Sequence, residues 1–321
     1  MSKPHLLMMT TMLDELDIHA DEHFEILRVK DLDDPAIDAS AGSITAIAHG
    51  GHTLTVSRAL LDRLPNVKIV ANFGVGYDGV DTTAAAERGI IVTNTPNVLN
   101  EEVADTALGL LIMTARELGQ AEQYLRSGQW GSKGDYPLTT TTLRDRAIGI
   151  VGLGRIGRAI AKRCEAFGLP ISYFSRTEKP DSGYRFYADL VDMAGAVDTL
   201  IVITPGTPET KDLINADVLS ALGPNGIVIN VARGSVVDEP ALMAALKSKA
   251  IAAAGLDVMV GEPNINPELM QLENCVLLPH VGSGSLHTRR AMGQLVVDNL
   301  IAFKEKAPPK TPVPETPFNG W

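Results

Sequence analysis

The sequence is poor in cysteine and lacks long apolar runs. Its 321 residues contain only two cysteines, Cys164 and Cys275, whose positions fit neither a disulfide framework nor the spacing of metal ligands. This excludes a small disulfide-stabilised domain and predicts a reducing compartment, which we take to be the cytoplasm. No run reaches the roughly 18 apolar residues that a membrane span needs, and the first residues lack the apolar core of a secretory leader, so we expect neither.

Positive charge is also scarce. The chain has 28 Lys and Arg residues against 39 Asp and Glu residues, which gives a net charge of −11. An acidic chain disfavours general binding to nucleic acid or to anionic membranes, so we expect small-molecule ligands. Recognition of a phosphate group then depends on a local basic patch, for which Arg155, Arg176 and Lys179 are the candidates.

Short β-type runs alternate with helical segments along most of the chain. Five such runs precede residue 95, and six follow residue 146. This alternation predicts an α/β fold with two Rossmann-like domains, each built on a parallel sheet. We expect a discontinuous substrate domain from residues 1–98 and 288–321, a dinucleotide-binding domain from residues 99–287, and an active site in the cleft between them.

Two helical segments flank the second series of strands. Residues 99–127 read as one long amphipathic helix, and residues 288–306 as a second helix, followed by a proline-rich tail that we expect to lie extended on the surface. The apolar part of the first helix and the loop around Trp130 look too hydrophobic to face water alone. They therefore predict a homodimer.

The run AIGIVGLGRIG carries the most specific motif, because an apolar strand passes through three glycines directly into a helix. Gly152 permits the tight turn, Gly154 allows the backbone to approach a pyrophosphate, and Gly157 allows the helix to pack close to the strand. Together with the N–H groups at the helix start, this arrangement predicts a dinucleotide site. The helical pattern that follows has three apolar positions expected to face inward: Ile156, Ile160 and Phe167.

The residues after the second strand of this domain indicate which dinucleotide binds. A site for NAD usually places a carboxylate there, about 20 residues after the first glycine, to bind the ribose 2′-hydroxyl. Here the strand at residues 171–174 is followed by Ser175, Arg176 and Thr177. A guanidinium can pair with a 2′-phosphate, which a carboxylate would repel, so we predict a preference for NADP(H), with NAD(H) still possible.

Three ionisable residues follow consecutive strands of the same domain. Arg233 comes after the IVINVA run, Glu262 lies in the GEP segment after the next strand, and His280 follows VLLP. Because the carboxyl ends of parallel strands meet at one edge of a sheet, we expect these groups at the same rim. Arginine can bind a carboxylate through two hydrogen bonds, histidine can exchange a proton near neutral pH, and glutamate can hold the imidazole and favour its protonated form.

Six motifs resemble those of the D-isomer-specific 2-hydroxyacid dehydrogenases, and more closely those of the glyoxylate and hydroxypyruvate reductases. They are NFGVGYDGVD at 72–81, NEEVADTALGLL at 100–111, GIVGLGRIG at 149–157, NVARGSVVDE at 230–239, GLDVMVGEP at 255–263 and LPHVGSGS at 278–285. The resemblance implies that Arg233, Glu262 and His280 are catalytic and that the backbone of Val75 and Gly76 binds the substrate carboxylate. The implied reaction is the reduction of glyoxylate, hydroxypyruvate or similar small 2-keto acids to D-2-hydroxy acids by hydride transfer, with His280 as general acid and base.

The resemblance also implies contacts with the cofactor. Thr106 and Asp257 match positions at its nicotinamide end. The sequence departs from the more usual family pattern at Ser175–Thr177, as the NADPH-preferring reductases do, and at residues 204–208, where ThrProGlyThrPro replaces a proline–leucine step. The expected cofactor contacts are Thr106, Gly152, Gly154, Arg155, Ile156, Gly157, Ser175, Arg176, Thr177, Thr204, Pro205, Val231, Ala232, Asp257 and Gly282.

Several alternatives stay open. The residues do not rank glyoxylate, hydroxypyruvate and bulkier 2-keto acids. Formate dehydrogenases pair their histidine with a glutamine, so Glu262 argues against that activity. Phosphoglycerate dehydrogenases normally carry an acidic residue near Ser175, and residues 175–177 contain none. Nucleotide-sensing corepressors of the same family keep the three catalytic residues but act as binding modules, so an assay with glyoxylate separates them from an enzyme.

Two further features have a structural and a functional interpretation. His49 and His52 have a spacing that a metal could use, but no carboxylate or cysteine accompanies them, so we expect no metal site. The backbone of Gly50 and Gly51 at the same strand end is instead expected to contact substrate. Trp130 either packs at the dimer contact or, as in related reductases, lines the partner's substrate pocket.

Overall fold

The structure is a computed structural model that describes residues 3–51 and 54–321. The chain divides into two compact units, one of Met1–Leu99 and Gly284–Trp321 and the other of Asn100–Ser283. Each unit is built around one parallel sheet flanked by helices, so the predicted α/β class with two Rossmann-like sheets is confirmed.

The first unit begins with five strands and four helices. Their bounds are β1 His5–Met9, α1 Asp14–His23, β2 Glu25–Arg28, α2 Pro35–Ser40, β3 Ile44–Gly50, α3 Arg58–Arg63, β4 Ile69–Phe73, α4 Thr82–Glu87 and β5 Ile91–Thr93. The strands pair in parallel in the order β2-β1-β3-β4-β5. Alternate side chains of β1 enter two separate apolar clusters, with Leu7 and Met9 on one face and Leu6 and Met8 on the other. Both faces of the sheet are therefore covered, as in other parallel sheets.

The second unit contains a seven-stranded sheet. Its elements are α5 Asn100–Arg116, α6 Leu118–Arg126, α7 Gln129–Lys133, β6 Ile148–Val151, α8 Arg155–Ala166, β7 Ile171–Phe174, β8 Arg185–Tyr187, α9 Leu190–Ala194, β9 Thr199–Val202, α10 Ala216–Leu222, β10 Ile227–Asn230, α11 Glu239–Ser248, β11 Ala253–Leu256 and β12 Cys275–Leu277. The parallel order is β12-β11-β10-β9-β6-β7-β8. The sequence predicts six of these strands and misses β8, which is only three residues long and lies at the sheet edge.

The strand order reverses between β6 and β9, which are neighbours in the sheet although β7 and β8 separate them in sequence. Val151 at the end of β6 pairs with Val202 at the end of β9. Ligands of open α/β sheets bind outside the carboxyl ends of the strands at such a reversal. The glycine turn and the residues after Val202 therefore flank the expected crevice.

The predicted helix over residues 99–127 is interrupted in the structure. It ends at Arg116, because Glu117 adopts a left-handed φ of +51°, and α6 and α7 follow as separate short helices. The apolar face of α5 is buried within its own unit against α8, β10 and β11, with Leu110 and Leu111 almost inaccessible. The expectation that this helix is too apolar for a monomer is therefore wrong for α5 itself.

The chain finishes in the first unit. Helix α12, Leu286–Lys304, packs against α1 and β4. The tail beyond it is less superficial than the sequence predicts, because Pro312 forms an antiparallel bridge with Thr93, and Val313 and Thr316 are buried. Its prolines leave it without regular structure, yet it covers the edge of β5.

Two other sequence expectations concern buried residues. Phe167 is 51% exposed at the end of α8, so only Ile160 is fully inward among the three predicted positions, with Ile156 half-buried. Both cysteines are free thiols, and burial raises the pKa of each to about 12, in agreement with inert core positions.

Candidate active site

The glycine turn has the geometry of a phosphate-binding loop. Gly152 has a φ of +105°, and a Cβ there would lie 2.9 Å from the Ile203 carbonyl oxygen, so only glycine fits without strain. A Cβ on Gly157 would lie 2.1 Å from the carbonyl oxygen of Gly152, which explains the close packing of α8 on β6. A Cβ on Gly154 would meet no atom of the described residues within 4 Å, and this residue begins α8 without a side-chain cap. The turn therefore presents an open, electropositive helix start to which a pyrophosphate can bind.

The end of β7 carries hydroxyls and a guanidinium. The Ser175 hydroxyl donates to the Thr177 carbonyl oxygen at 2.7 Å, and the Lys179 ammonium donates to the Thr177 hydroxyl at 3.1 Å. Arg176 is exposed and close enough to Glu209 to contribute to lowering the pKa of that carboxyl, although the hydrogen bond from Thr207 is the main cause. These groups form a local basic surface beside the crevice, despite the acidic chain as a whole.

Arg233 follows β10 in a turn held by Asn230. The buried Asn230 side chain donates to the Arg233 carbonyl oxygen at 2.9 Å and accepts from the Ala232 amide at 3.0 Å. A Cβ on Gly206 would lie 2.8 Å from Cγ of Arg233, so this glycine makes room for the arginine side chain. The role of Gly206 could not be predicted, because it depends on a contact between the ThrProGlyThrPro and NVARG segments that exists only in the folded unit. The role of Asn230 was also missed, although its hydrogen bonds are local to the NVARG segment.

His280 and Glu262 form a direct pair. Nδ1 of His280 lies 2.8 Å from Oε2 of Glu262, and Oε1 of Glu262 accepts the Met259 amide at 2.7 Å. Both side chains are mostly buried, at 28% and 15% exposure. A carboxylate can only accept, so the proton on Nδ1 belongs to this hydrogen bond. The arrangement fixes the orientation of the imidazole ring, as a general acid requires.

Asp257 holds the loop that carries His280. Its carboxylate is 2% exposed and accepts the Val281 and Gly282 amides at 2.7 and 2.8 Å. Burial raises the pKa of this carboxyl, while the two amide hydrogen bonds oppose the shift. His280 adopts a φ of +53°, a left-handed conformation that needs such support. Asp257 therefore positions the loop that carries His280, a role that the sequence did not predict, and its expected cofactor contact stays a prediction.

The other expected cofactor residues fall into two groups in this unit. The hydroxyl of Thr106 lies 3.5 Å from the Gly282 carbonyl oxygen, so Thr106, Gly282 and Asp257 come together near the loop that carries His280. Pro205 lies in a closed turn, where its carbonyl oxygen accepts from the Thr210 hydroxyl at 2.6 Å. These expected cofactor residues thus lie near strand ends, and their contacts with the cofactor stay predictions. The contacts expected of five further residues also stay predictions: Arg155, Ile156, Thr204, Val231 and Ala232.

In the first unit, the loop after β4 presents two backbone N–H groups. The carbonyl oxygen of Gly74 accepts from Thr95 N at 2.9 Å, and that of Val75 accepts from the Asn94 amide group at 2.9 Å. Within residues 3–51 and 54–321, the N–H groups of Val75 and Gly76 donate no hydrogen bond. This backbone is therefore available to bind an anion, as expected for a carboxylate site.

Of the two histidines at the end of β3, the structure describes only His49. Both ring nitrogens of the buried His49 are hydrogen-bonded, to Asn72 and to the Leu54 carbonyl oxygen, and no cluster of three or more metal-ligating side chains occurs in the described part of the chain. His52 lies outside the described residues. Gly51 is exposed with a φ of +85°, and its expected substrate contact stays a prediction.

Comparison with known proteins identifies the chain. Residues 108–282 match the family described as D-isomer specific 2-hydroxyacid dehydrogenase, NAD binding domain, over more than half of the 321 residues. The chain belongs to the D-isomer specific 2-hydroxyacid dehydrogenase family. The predicted family is thereby confirmed, and the cofactor of this dehydrogenase is a nicotinamide dinucleotide.

Relatives are similar over nearly the whole dehydrogenase. The chain is 44% identical over 310 residues to the hydroxyphenylpyruvate reductase of Plectranthus scutellarioides, and the match covers 96% of this chain and 98% of that one. It is equally similar, over the same shares, to a glyoxylate/hydroxypyruvate reductase of Arabidopsis thaliana. The NADPH-dependent glyoxylate/hydroxypyruvate reductase of Sinorhizobium meliloti, solved in complex with NADP and malonate, is 52% identical with a TM-score of 0.95, covering 99% of this chain and 98% of that one.

The dehydrogenase exposes apolar side chains in one region of its second unit. Leu118 and Leu125 of α6, Trp130 of α7 and Leu138 beyond it are 44%, 55%, 59% and 96% exposed. These residues, rather than the buried face of α5, present large apolar side chains to solvent. In the described ranges of the chain, no helix combines the length and the apolar character needed to cross a membrane.

Proposed function

We propose that this dehydrogenase reduces small 2-keto acids, with glyoxylate and hydroxypyruvate as its substrates, to D-2-hydroxy acids. The observation that carries the proposal is the 2.8 Å contact between His280 Nδ1 and Glu262 Oε2. With Nδ1 directed to the carboxylate, Nε2 is the nitrogen assigned to give a proton to the keto oxygen during reduction. Glu262 holds the ring in the orientation that leaves Nε2 for this transfer.

Arg233 and the loop after β4 are assigned to the substrate carboxylate. The planar guanidinium of Arg233 can donate two parallel hydrogen bonds, and its position after β10 is set by Asn230. The N–H groups of Val75 and Gly76 supply further donors in the first unit. Fixing the carboxylate in this way holds the keto carbon in one orientation. Such positioning can supply a large part of the rate enhancement.

The same proposal assigns NADPH as the preferred cofactor. When bound, NADPH supplies the hydride that reduces the keto carbon. The chain itself contributes the glycine turn, which is assigned to the pyrophosphate, and Ser175, Arg176 and Thr177, which are assigned to the 2′-phosphate. The absence of a carboxylate at these three positions supports the second assignment. The solved relative from Sinorhizobium meliloti is described as NADPH-dependent and was crystallised with NADP, which supports the same preference.

We further assign substrate binding to the unit that contains Val75 and cofactor binding to the unit that contains the glycine turn. The working form is proposed to be a homodimer located in the cytoplasm. The exposed apolar residues of α6, α7 and the following segment support the dimer, because large apolar side chains exposed along one segment are typical of interaction surfaces. A role for Trp130 in the partner's substrate pocket stays a prediction.

A second candidate is the reduction of bulkier 2-keto acids. It is favoured by the 44% identity to an enzyme named hydroxyphenylpyruvate reductase, whose named substrate carries an aromatic group. Both candidates use the same acid, carboxylate anchor and cofactor. They differ only in the space around the third substituent of the keto carbon.

A substrate panel followed by loss of NADPH absorbance tests these proposals. We expect the highest kcat/KM with glyoxylate or hydroxypyruvate and a lower value with hydroxyphenylpyruvate. The reverse order would favour the second candidate. Absence of turnover with every keto acid, together with retained NADPH binding, would contradict an enzymatic function and favour a nucleotide-sensing binding protein.

A further inference from the structure

The first unit contains a buried histidine that none of the roles above uses. His49 is the residue before the last of β3 and is 2% exposed, and its register partner near the end of β4 is Asn72. Nδ1 of His49 lies 2.7 Å from Oδ1 of Asn72, and Nε2 lies 2.8 Å from the Leu54 carbonyl oxygen. A Cβ on Gly79 would approach the ring to 2.9 Å, so the imidazole is enclosed on that side as well.

Asn72 links this histidine to the loop that presents the Val75 and Gly76 amides. Its side-chain amide group donates to the Gly74 carbonyl oxygen at 3.2 Å and to the Gly76 carbonyl oxygen at 3.0 Å. In a trans peptide, the carbonyl of one residue and the N–H of the next point in opposite directions. Holding the Gly74 carbonyl inward therefore turns the Val75 N–H toward the opposite side of the loop.

The hydrogen-bond count determines the orientation of Asn72 and the protons on His49. Both bonds from Asn72 to the loop go to carbonyl oxygens, which only accept, so Nδ2 must face the loop and Oδ1 must face His49. The second neighbour of the ring, the Leu54 carbonyl, is also an acceptor. Because Oδ1 of Asn72 only accepts, Nδ1 of His49 is the donor in the bond between them.

We propose that His49 is a positioning residue which donates from Nδ1 to Asn72, fixes the orientation of that side chain and thereby aims the Val75 amide at the substrate carboxylate. This inference rests on the proposed function of that loop. The site is buried, so each of these hydrogen bonds is protected from competition by water.

The test uses two histidine variants and one asparagine variant. His49→Phe keeps an aromatic ring without donors, His49→Gln keeps one amide donor, and Asn72→Asp keeps the shape but removes both donations to the loop. We expect the KM for glyoxylate to rise about tenfold in His49→Phe and Asn72→Asp, the factor that corresponds to losing one buried hydrogen bond, and to rise less in His49→Gln. NADPH affinity should not change, and kcat should change little.

Asn66→Asp is the control. Asn66 is an asparagine of the same unit whose amide group donates to the Gly42 carbonyl oxygen at 2.8 Å, so this variant also loses a donation to a carbonyl oxygen. Asn66 precedes β4 whereas the loop follows it, and we expect no change in KM. An unchanged KM in His49→Phe, or an equal rise in Asn66→Asp, would overturn the proposal.

A measurement on the unmodified protein covers the case in which a variant does not fold. Nitrogen-15 NMR of labelled histidine distinguishes a protonated ring nitrogen from an unprotonated one. We expect Nδ1 of His49 to carry a proton, and an unprotonated Nδ1 would overturn the proposal. If the unmodified protein reduces no keto acid, the proposed function fails, while this spectrum still decides the state of His49.

Discussion

The backbone N–H of His280 donates to the carbonyl oxygen of Asp257 at 2.9 Å, and the Asp257 carboxylate accepts the next two amides. One buried residue thus fixes three successive N–H groups. This support allows His280 to keep its left-handed backbone conformation and to direct its ring at Glu262. The orientation of the proposed acid is therefore set by the end of β11 as well as by its own strand.

Replacing His280 by Asn should remove the proton donor while keeping a side chain of similar size. We expect kcat for glyoxylate reduction to fall by at least about 10², the lower range for general acid catalysis, with NADPH affinity preserved. His287→Asn is the control, because His287 is an exposed histidine a short distance along the chain. Near-normal turnover in His280→Asn would exclude the proposed role.

Glu262→Gln should weaken the support of the His280 ring. The amide keeps the size of the side chain but loses the charge-assisted hydrogen bond that the carboxylate makes with Nδ1 at 2.8 Å. We expect kcat for glyoxylate reduction to fall by roughly tenfold, the factor for one charge-assisted hydrogen bond, with NADPH affinity preserved. An unchanged kcat would contradict the pairing.

Arg233→Lys retains the positive charge but loses the planar pair of donors. We expect kcat/KM for the keto acid to fall by more than about tenfold, because a bidentate contact with the carboxylate cannot be rebuilt by an ammonium. NADPH affinity should change little. If the variant instead loses NADPH binding and keeps its order of preference among keto acids, Arg233 belongs to the cofactor site.

Arg176→Ala should narrow the preference for NADPH over NADH. A charge-assisted contact of this kind contributes roughly 1–3 kcal/mol, which corresponds to about five- to 150-fold in relative kcat/KM. Arg185→Ala is a suitable control, because Arg185 belongs to the same unit and its guanidinium stacks on Tyr187. Equal efficiency with both cofactors in the unmodified protein would contradict the assignment.

The exposed apolar residues of α6, α7 and the following segment predict self-association. Light scattering during size-exclusion chromatography should give the mass of two chains, since stable dimers of this kind bury upwards of about 2,000 Å². Leu138→Asp should shift the protein toward monomer, whereas Ile18→Asp, at a residue 62% exposed in the other unit, should not. A fully active monomer at micromolar concentration would refute both the dimer and a role for Trp130 across it.

Local patterns in the sequence were sufficient for the parts of the site that depend on chain neighbours. The glycine turn, the strand before it and the helix after it follow from backbone conformation and apolar periodicity, and Gly152 and Gly157 have the close contacts that the motif predicts. The positions of Arg233 and His280 after strands are likewise local. Their placement along one sheet edge then follows from the parallel topology.

Tertiary structure decided which side chains support these positions. Asp257 and the pair of His49 and Asn72 act through hydrogen bonds between segments that are distant in sequence, and no periodicity reports such partners. The burial of α5 was decided in the same way, because its apolar stripe is satisfied by the strands and helix of its own unit. Local propensity determined where elements form, whereas long-range packing determined which of their faces and polar groups are satisfied.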